Sequence, residues 1–200
     1  MRTIPPARWL PALVALLLVT AARAGASPRT GFQIEGGIGS IYARPLEIEA
    51  TPGITLAGTI DMPLARSLRG SCELTTTVGR DFASYTRAPG DAAPGSRTLT
   101  TLLVGVETID PRTSSGHFAG LGVGVGYATL SGARGSSASG VSTDIEDRST
   151  TGLAVGAGVG YRFSGGPGAY RFQIALRAHA LFDAGEVPAT TYMFMLGLAR

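Results

Sequence analysis

Four carboxylates and four guanidiniums fall on the polar sides of alternating apolar–polar stretches in this chain. They are Glu35, Asp61, Glu73 and Glu107, with Arg69, Arg162, Arg171 and Arg177. Neighbouring carboxylates can do general acid–base work. Here each acid has an arginine available to neutralise it, and no nucleophile stands out beside them. Unpaired charge in a closed interior is costly, so the equal count of the two signs reads as an interior ion-pair network. His117 opens one alternating stretch and His179 lies on the polar side of another. A single interior histidine is more often a hydrogen-bonded packing residue than a catalyst. No His or Cys cluster has the spacing of a metal site. Asp144, Glu146 and Asp147 are close in sequence but lack the EF-hand spacing, and they read as a solvated acidic loop. Cys72 is the only thiol, which excludes a disulfide framework within the chain, and its place on an apolar face makes it inert. The chemistry therefore assigns no catalytic residue, no metal and no cofactor.

A second candidate is the run "GLGVGVGY" at 120–127, nearly repeated as "GLAVGAGVGY" at 152–161. A dinucleotide fingerprint needs GxGxxG ahead of a helix. Counting from Gly120 or Gly122, the sixth position is Val125 or Tyr127, and no helical period follows. The glycines instead keep the two-residue period of one strand face. They form two adjacent glycine walls, Gly120, Gly122, Gly124 and Gly126 in one strand and Gly152, Gly156, Gly158 and Gly160 in the next. Glycine weakens a strand, so its justification is close approach. These walls are expected to leave room for long side chains such as Arg177 and Met195.

The elements that position these residues are strands. Alternation recurs at Gly31–Tyr42, Gly53–Met62, Ser67–Val78, Thr98–Thr108, His117–Thr129, Thr151–Phe163, Tyr170–Phe182 and Thr190–Ala199, and no segment after residue 30 sustains a helical period. Most of these strands have about ten residues, enough to cross a bilayer when tilted. The connections sort by length. Those at 43–52, 79–97, 130–150 and 183–189 include the two longest, while 63–66, 109–116 and 164–169 hold Pro63, Pro111 and a Gly-Pro-rich run suited to tight reversal. In an up-and-down meander, long loops then fall at one end and short turns at the other, as in outer-membrane barrels. Aromatic residues on the apolar faces fall in two belts. Phe32, Tyr161, Phe163, Tyr170 and Phe172 lie toward the short turns, and Tyr42, Tyr127, Phe182, Tyr192 and Phe194 toward the long loops.

The start of the chain, MRTIPPARWLPALVALLLVTAARAGAS, has a basic opening, an apolar run too short to span a membrane, and small residues suited to cleavage after Ala24 or Ala26. Residues 1–24 are read as a signal peptide and 27–200 as one barrel domain. Arg2, Arg8 and Arg23 belong to the signal, so the +3 formal charge of the whole chain vanishes in the mature part. A nucleic-acid partner is not supported.

With a signal peptide, eight alternating strands, Gly-rich fifth and sixth strands and a terminal "TTYMFMLGLAR", the chain resembles the small outer-membrane β-barrel proteins of the OmpA and OmpX type over essentially its whole mature length. The resemblance implies an all-β, eight-stranded antiparallel up-and-down transmembrane barrel in the outer membrane of a diderm bacterium. It also implies assembly by the outer-membrane insertion machinery and both termini in the periplasm. Such proteins commonly end in an aromatic residue; here the last in-register residue is Arg200. Some outer-membrane barrels modify lipid with a His and a Ser two residues later, but Ala119 and Leu181 stand at those positions here. Eight strands leave a lumen just wide enough for side chains to fill. The expected function is a structural or surface-binding barrel in contact with outer-membrane lipid, with any surface ligand held by the loops at 79–97 and 130–150. The alternatives are a lipid-modifying enzyme, and a soluble lipocalin-like barrel with Leu121, Val123, Val125 and Tyr127 inside and Glu73 and Arg177 outside.

Overall fold

A computed structural model of the chain describes residues 31–43, 51–80, 96–109, 115–131, 134–136, 142–144, 147–163, 170–183 and 189–200. The expected signal peptide and cleavage site, Glu146 and most of the connection at 79–97 lie outside the described residues. All eight expected strands form. They are β1 Gly31–Ala43, β2 Thr51–Ala65, β3 Leu68–Arg80, β4 Ser96–Thr108, β5 Gly116–Ser131, β8 Arg148–Arg162, β9 Arg171–Phe182 and β10 Ala189–Ala199. Two short strands, β6 Arg134–Ser136 and β7 Ser142–Asp144, pair as a hairpin inside the connection from β5 to β8. That hairpin has no periodic signature, because the stretch is Gly, Ser and Ala with no alternating apolar face.

The eight long strands close in the order β1-β10-β9-β8-β5-β4-β3-β2, each antiparallel to its neighbours. The seam between the first and last strands runs from Gln33↔Ala199 to Ala43↔Ala189. Arg200 extends it, donating its backbone N–H to Phe32 O at 2.9 Å and accepting from Phe32 N at 3.3 Å. The eight long strands have 11 to 16 residues, and all but β9 are longer than the alternation alone marks. β2 continues to Ala65 through an irregularity between Pro63 and Ala65, so the turn shrinks to Arg66 and Ser67. A bulge is where a strand tolerates a proline that cannot donate to the ladder.

Which face points inward is settled by burial. Glu35 is 1% exposed and Ile38, three residues on, is 67% exposed. Gln33, Asp61, Glu73, Thr75, Thr101, Glu107, Arg162, Gln173 and His179 are buried in the interior, while all eight strands present exposed large apolar side chains outward. Leu121, Val123 and Val125 are among the exposed ones, so the inverted, lipocalin-like arrangement does not form.

The interior is not purely polar. Ile41, Leu99, Leu181 and Ala189 make an apolar cluster toward the long-loop end, and Ala57, Phe118, Ala175, Met193 and Met195 make another. Both glycine walls face inward. A Cβ at Gly156 would run into Leu103 Cδ1 and His179, one at Gly160 into the Phe118 ring, and one at Gly126 into Leu181 at 2.9 Å. At Gly124 and Gly152 the obstacle is the neighbouring backbone, Leu102 O and Phe182 O. Arg177 does occupy this wall, its Cγ 3.3 Å from a Cβ at Gly158. Met195 differs from expectation: its sulfur lies against Gly37 on β1. It sits on β10, beside the seam and away from the β5–β8 wall.

Candidate functional site: the lumen and its rims

Toward the short turns, six inward side chains from six strands form one hydrogen-bonded chain. Arg69 on β3 donates to Asp61 on β2 at 2.9 Å. Gln33 on β1 donates its amide to the same Asp61 oxygen at 3.0 Å and accepts from Gln173 on β9 at 3.0 Å. Gln173 in turn accepts from Arg162 Nε on β8 at 2.9 Å, and Arg162 Nη2 donates to Glu107 on β4 at 2.6 Å. Glu107 and Arg69 are register partners across β3 and β4, so the chain runs nearly around the barrel. The Arg162 guanidinium also lies 4.6 Å over the Phe118 ring.

A second cluster sits deeper. Arg177 bridges two carboxylates, donating through Nη1 to Glu73 and through Nη2 to Glu35 at 2.5 Å. Thr75 donates to Glu73 Oε1 at 2.6 Å, and His179 Nε2 lies 3.2 Å from the same oxygen. His179 Nδ1 is 2.8 Å from Thr101 Oγ1. Both ring nitrogens of His179 are thus engaged, Nε2 by Glu73 and Nδ1 by the Thr101 hydroxyl. Hydroxyl, imidazole and carboxylate in line are the parts of a proton relay. Thr101 is 1% exposed, however, and the cavity bounded by Glu73, Glu107, Arg177, His179 and Leu103 holds about 30 Å³. That is room for a water, not a substrate. Toward the long loops Thr55 and Thr77 share a hydrogen bond at 2.9 Å, Thr77 reaches Met193 Sδ at 3.6 Å, and Arg97, which the sequence reading did not single out, is buried at 2% exposure.

Of the eight charged residues singled out in the sequence, seven are in these two assemblies. Arg171 is not: it faces inward at the short-turn mouth and forms no ion pair with the described residues. The charges are therefore grouped as Arg69–Asp61, Arg162–Glu107 and Arg177 with two acids. The connecting groups Gln33, Gln173, Thr75 and Thr101 carry no distinctive sequence signal, although alternation alone placed Gln33, Gln173, Thr75 and Thr101 on the polar face. Replacing Gln173 by Leu removes a link that both Arg162 and Gln33 use. It is expected to cost about 1–3 kcal/mol, the penalty for stranding buried polar groups. The midpoint of thermal unfolding in detergent reads this directly; an unchanged midpoint would mean the amide chain carries no stability.

The aromatic residues lie on the outward face, but the short-turn belt is an arc and not a ring. His117 packs edge-on to Tyr161 at 5.0 Å, Tyr161 to Phe163 at 5.0 Å, and Phe163 tilts against Phe172 at 5.6 Å. Tyr170 and Phe32 continue it across β9 and β1. On β2 to β4 the corresponding positions are aliphatic, with Met62, Leu64 and Val106 exposed. At the long-loop end Tyr42 and Tyr192 meet edge-on at 5.7 Å. Phe194 is not with them: it pairs across to Leu176 and Ile38 at mid-strand. Cys72 is half-buried on an outward-facing position between Ile60 and Val104. Among the described residues no group of three His, Cys, Asp or Glu could hold a metal ion.

No protein-family profile matches this chain, and no curated protein matches it. Solved structures do. Neisserial surface protein A (NspA) aligns with 85% of this chain and 95% of its own, with TM-score 0.60 and 11% identity. Ail, the attachment invasion locus protein of Yersinia pestis, solved alone and in complex with the heparin analogue sucrose octasulfate, aligns with 86% of this chain and 99% of its own, with TM-score 0.51 and 18% identity. At these identities the likeness establishes the fold: this chain is an eight-stranded antiparallel barrel of the kind found in small outer-membrane proteins.

Proposed function

We propose that this chain is an integral outer-membrane barrel with a structural or surface-binding role, its lumen closed by side chains and not an open pore. The observation that carries this is the outward face. Soluble monomers rarely expose a contiguous apolar patch beyond a few hundred Å². Here Ile38, Ile54, Val104, Leu121, Leu153, Leu176 and Leu196, on seven different strands, are each more than two-fifths exposed. A surface that is apolar all around a closed barrel, with charge confined inside, suits hydrocarbon on the outside. The length of the strands, the aromatic residues near both ends and the fold shared with NspA and Ail support the same placement. The export signal read at 1–24 would deliver the chain to the periplasm, for insertion by the outer-membrane machinery.

Closure of the lumen rests on the charged chain at the short-turn end and the apolar cluster at the other. The long connections at 79–97 and 130–150 are where a ligand outside the cell would be met. Ail holds a sulfated heparin analogue, but Asp144, Glu146 and Asp147 in this chain would repel such an anion. A lipid-modifying enzyme has no comparable support, since His179 points into the lumen and His117 is stacked on Tyr161.

Fractionation followed by electrophoresis with and without heating tests the placement. The protein should sediment with outer membranes and change mobility when heated. Recovery of the mature protein in the soluble periplasmic fraction would overturn the reading.

A further inference from the structure

The mature chain is electrically neutral, but its charges are unevenly spread. The long connections at 43–52, 79–97, 130–150 and 183–189 are weighted toward acid, with nine carboxylates against six arginines. At the short-turn end the balance reverses. The described residues there include five arginines, Arg66, Arg69, Arg162, Arg171 and Arg200, against two carboxylates, Asp61 and Glu107. Both carboxylates are buried and committed, Asp61 to Arg69 and Glu107 to Arg162. Arg66 and Arg171 form no ion pair with the described residues, and the Arg200 guanidinium lies against the Tyr170 ring.

Two of these cations are placed for the membrane surface. Arg66 is exposed in the two-residue turn joining β2 and β3, beside the exposed Met62 and Leu64. Arg200 is exposed at the end of β10, separated from β2 by β1 alone, its guanidinium 5.8 Å from the centroid of Tyr170, itself 62% exposed. Each therefore pairs a guanidinium with an outward apolar or aromatic neighbour, the arrangement of a side chain anchored at a headgroup layer. Arg171, inside the mouth on β9 next to Arg200's strand, adds to the positive field but points into the lumen.

We infer that the short-turn rim is a docking surface for the phosphates of anionic phospholipid in the leaflet it faces, with Arg66 and Arg200 as the contacting groups. The inference rests on the membrane placement proposed above. A guanidinium presents a planar fork of donors that fits phosphate bidentately. The Tyr170 phenol beside Arg200 offers a further donor at the same level.

The test uses the full mature chain, refolded into nanodiscs of equal phosphatidylglycerol and phosphatidylcholine and released for native mass spectrometry. Each cation near an anionic surface is worth about 1 kcal/mol, which is about fivefold in occupancy. Wild type should retain phosphatidylglycerol over phosphatidylcholine, R66Q/R200Q should lose most of that preference, and R66K/R200K should keep part of it. Equal retention by wild type and R66Q/R200Q would overturn the inference. Suppression of the preference by soluble glycerol phosphate would also overturn it, since the rim would then bind free phosphate and not the bilayer surface. A heat-dependent mobility shift on the same samples keeps the two readings apart: absence of the shift would count against the membrane barrel itself.

Discussion

Replacing Arg177 by methionine is expected to cost about 3–5 kcal/mol of unfolding free energy, the range for stripping one partner from a buried ion pair. The reason is its double engagement. One guanidinium neutralises both Glu35 and Glu73, so its loss leaves two carboxylates facing each other in the lumen without a cation. Thr75 and His179 would still hold Glu73, but Glu35 Oε1 has no hydrogen-bond partner among the described residues even in the native arrangement. Charge reversals separate pairing from packing. Glu73→Arg and Arg177→Glu should each destabilise, and the double exchange should recover part of the loss. Recovery stays partial because a glutamate at 177 would be left beside Glu35. The readout is the midpoint of thermal or urea unfolding in detergent. Unchanged midpoints for both single reversals would sink the network.

A side chain added to the glycine wall should destabilise the barrel by a different route. Gly156→Val places its Cβ into Leu103 Cδ1 and within 2.9 Å of His179 Cδ2. Overpacking a filled interior costs about 1–3 kcal/mol, with the His179–Thr101 and His179–Glu73 contacts at risk as well. Leu103→Ala in the same chain should relieve part of it, since the obstacle is the end of a side chain. Gly36→Val is the contrast. Gly36 is exposed on the outward face and a Cβ there meets nothing within 4 Å, so the substitution should be neutral or add up to about 1 kcal/mol by relieving a strand glycine. The two variants, compared in one unfolding series, distinguish a wall thinned for packing from a strand that merely tolerates glycine. Equal effects would remove the distinction.

The barrel could be read from the sequence because period-two alternation is a local signal, written once in each strand. Closure, register and the inward sense of the polar face then follow from the need to hide charge and pair every edge. Partner assignment is not local. Nothing in the spacing joins Arg177 to Glu35 and Glu73, or leaves Arg171 out, because those relations depend on barrel stagger. Gln33 and Gln173 complete the short-turn chain, but amides are equally at home on a solvated surface. Leu99 and Leu103 escaped as lumen residues for another reason: β4 reads Thr-Leu-Thr-Thr-Leu-Leu-Val, where apolar residues on both faces blur the alternation. The aromatic belts were legible as face positions, but their spread around the barrel depends on strand order in the closed sheet, which is not a local signal.

Several of the side-chain links described in the lumen pass over the neighbouring strand to reach across the barrel. Arg177 reaches from β9 to β1 and β3, and Arg162 from β8 to β4. Such contacts act as spokes. A β-ladder by itself is stiff along each strand but hinges easily between strands, so in the membrane placement proposed above an unsupported eight-strand tube could flatten into an oval under the lateral pressure of packed lipid. Spokes fixed at two heights hold the cross-section round from within. The lumen charges then serve as the internal bracing of a thin-walled cylinder, most needed beside the glycine strands, where the wall itself has no side chains to resist being pressed in.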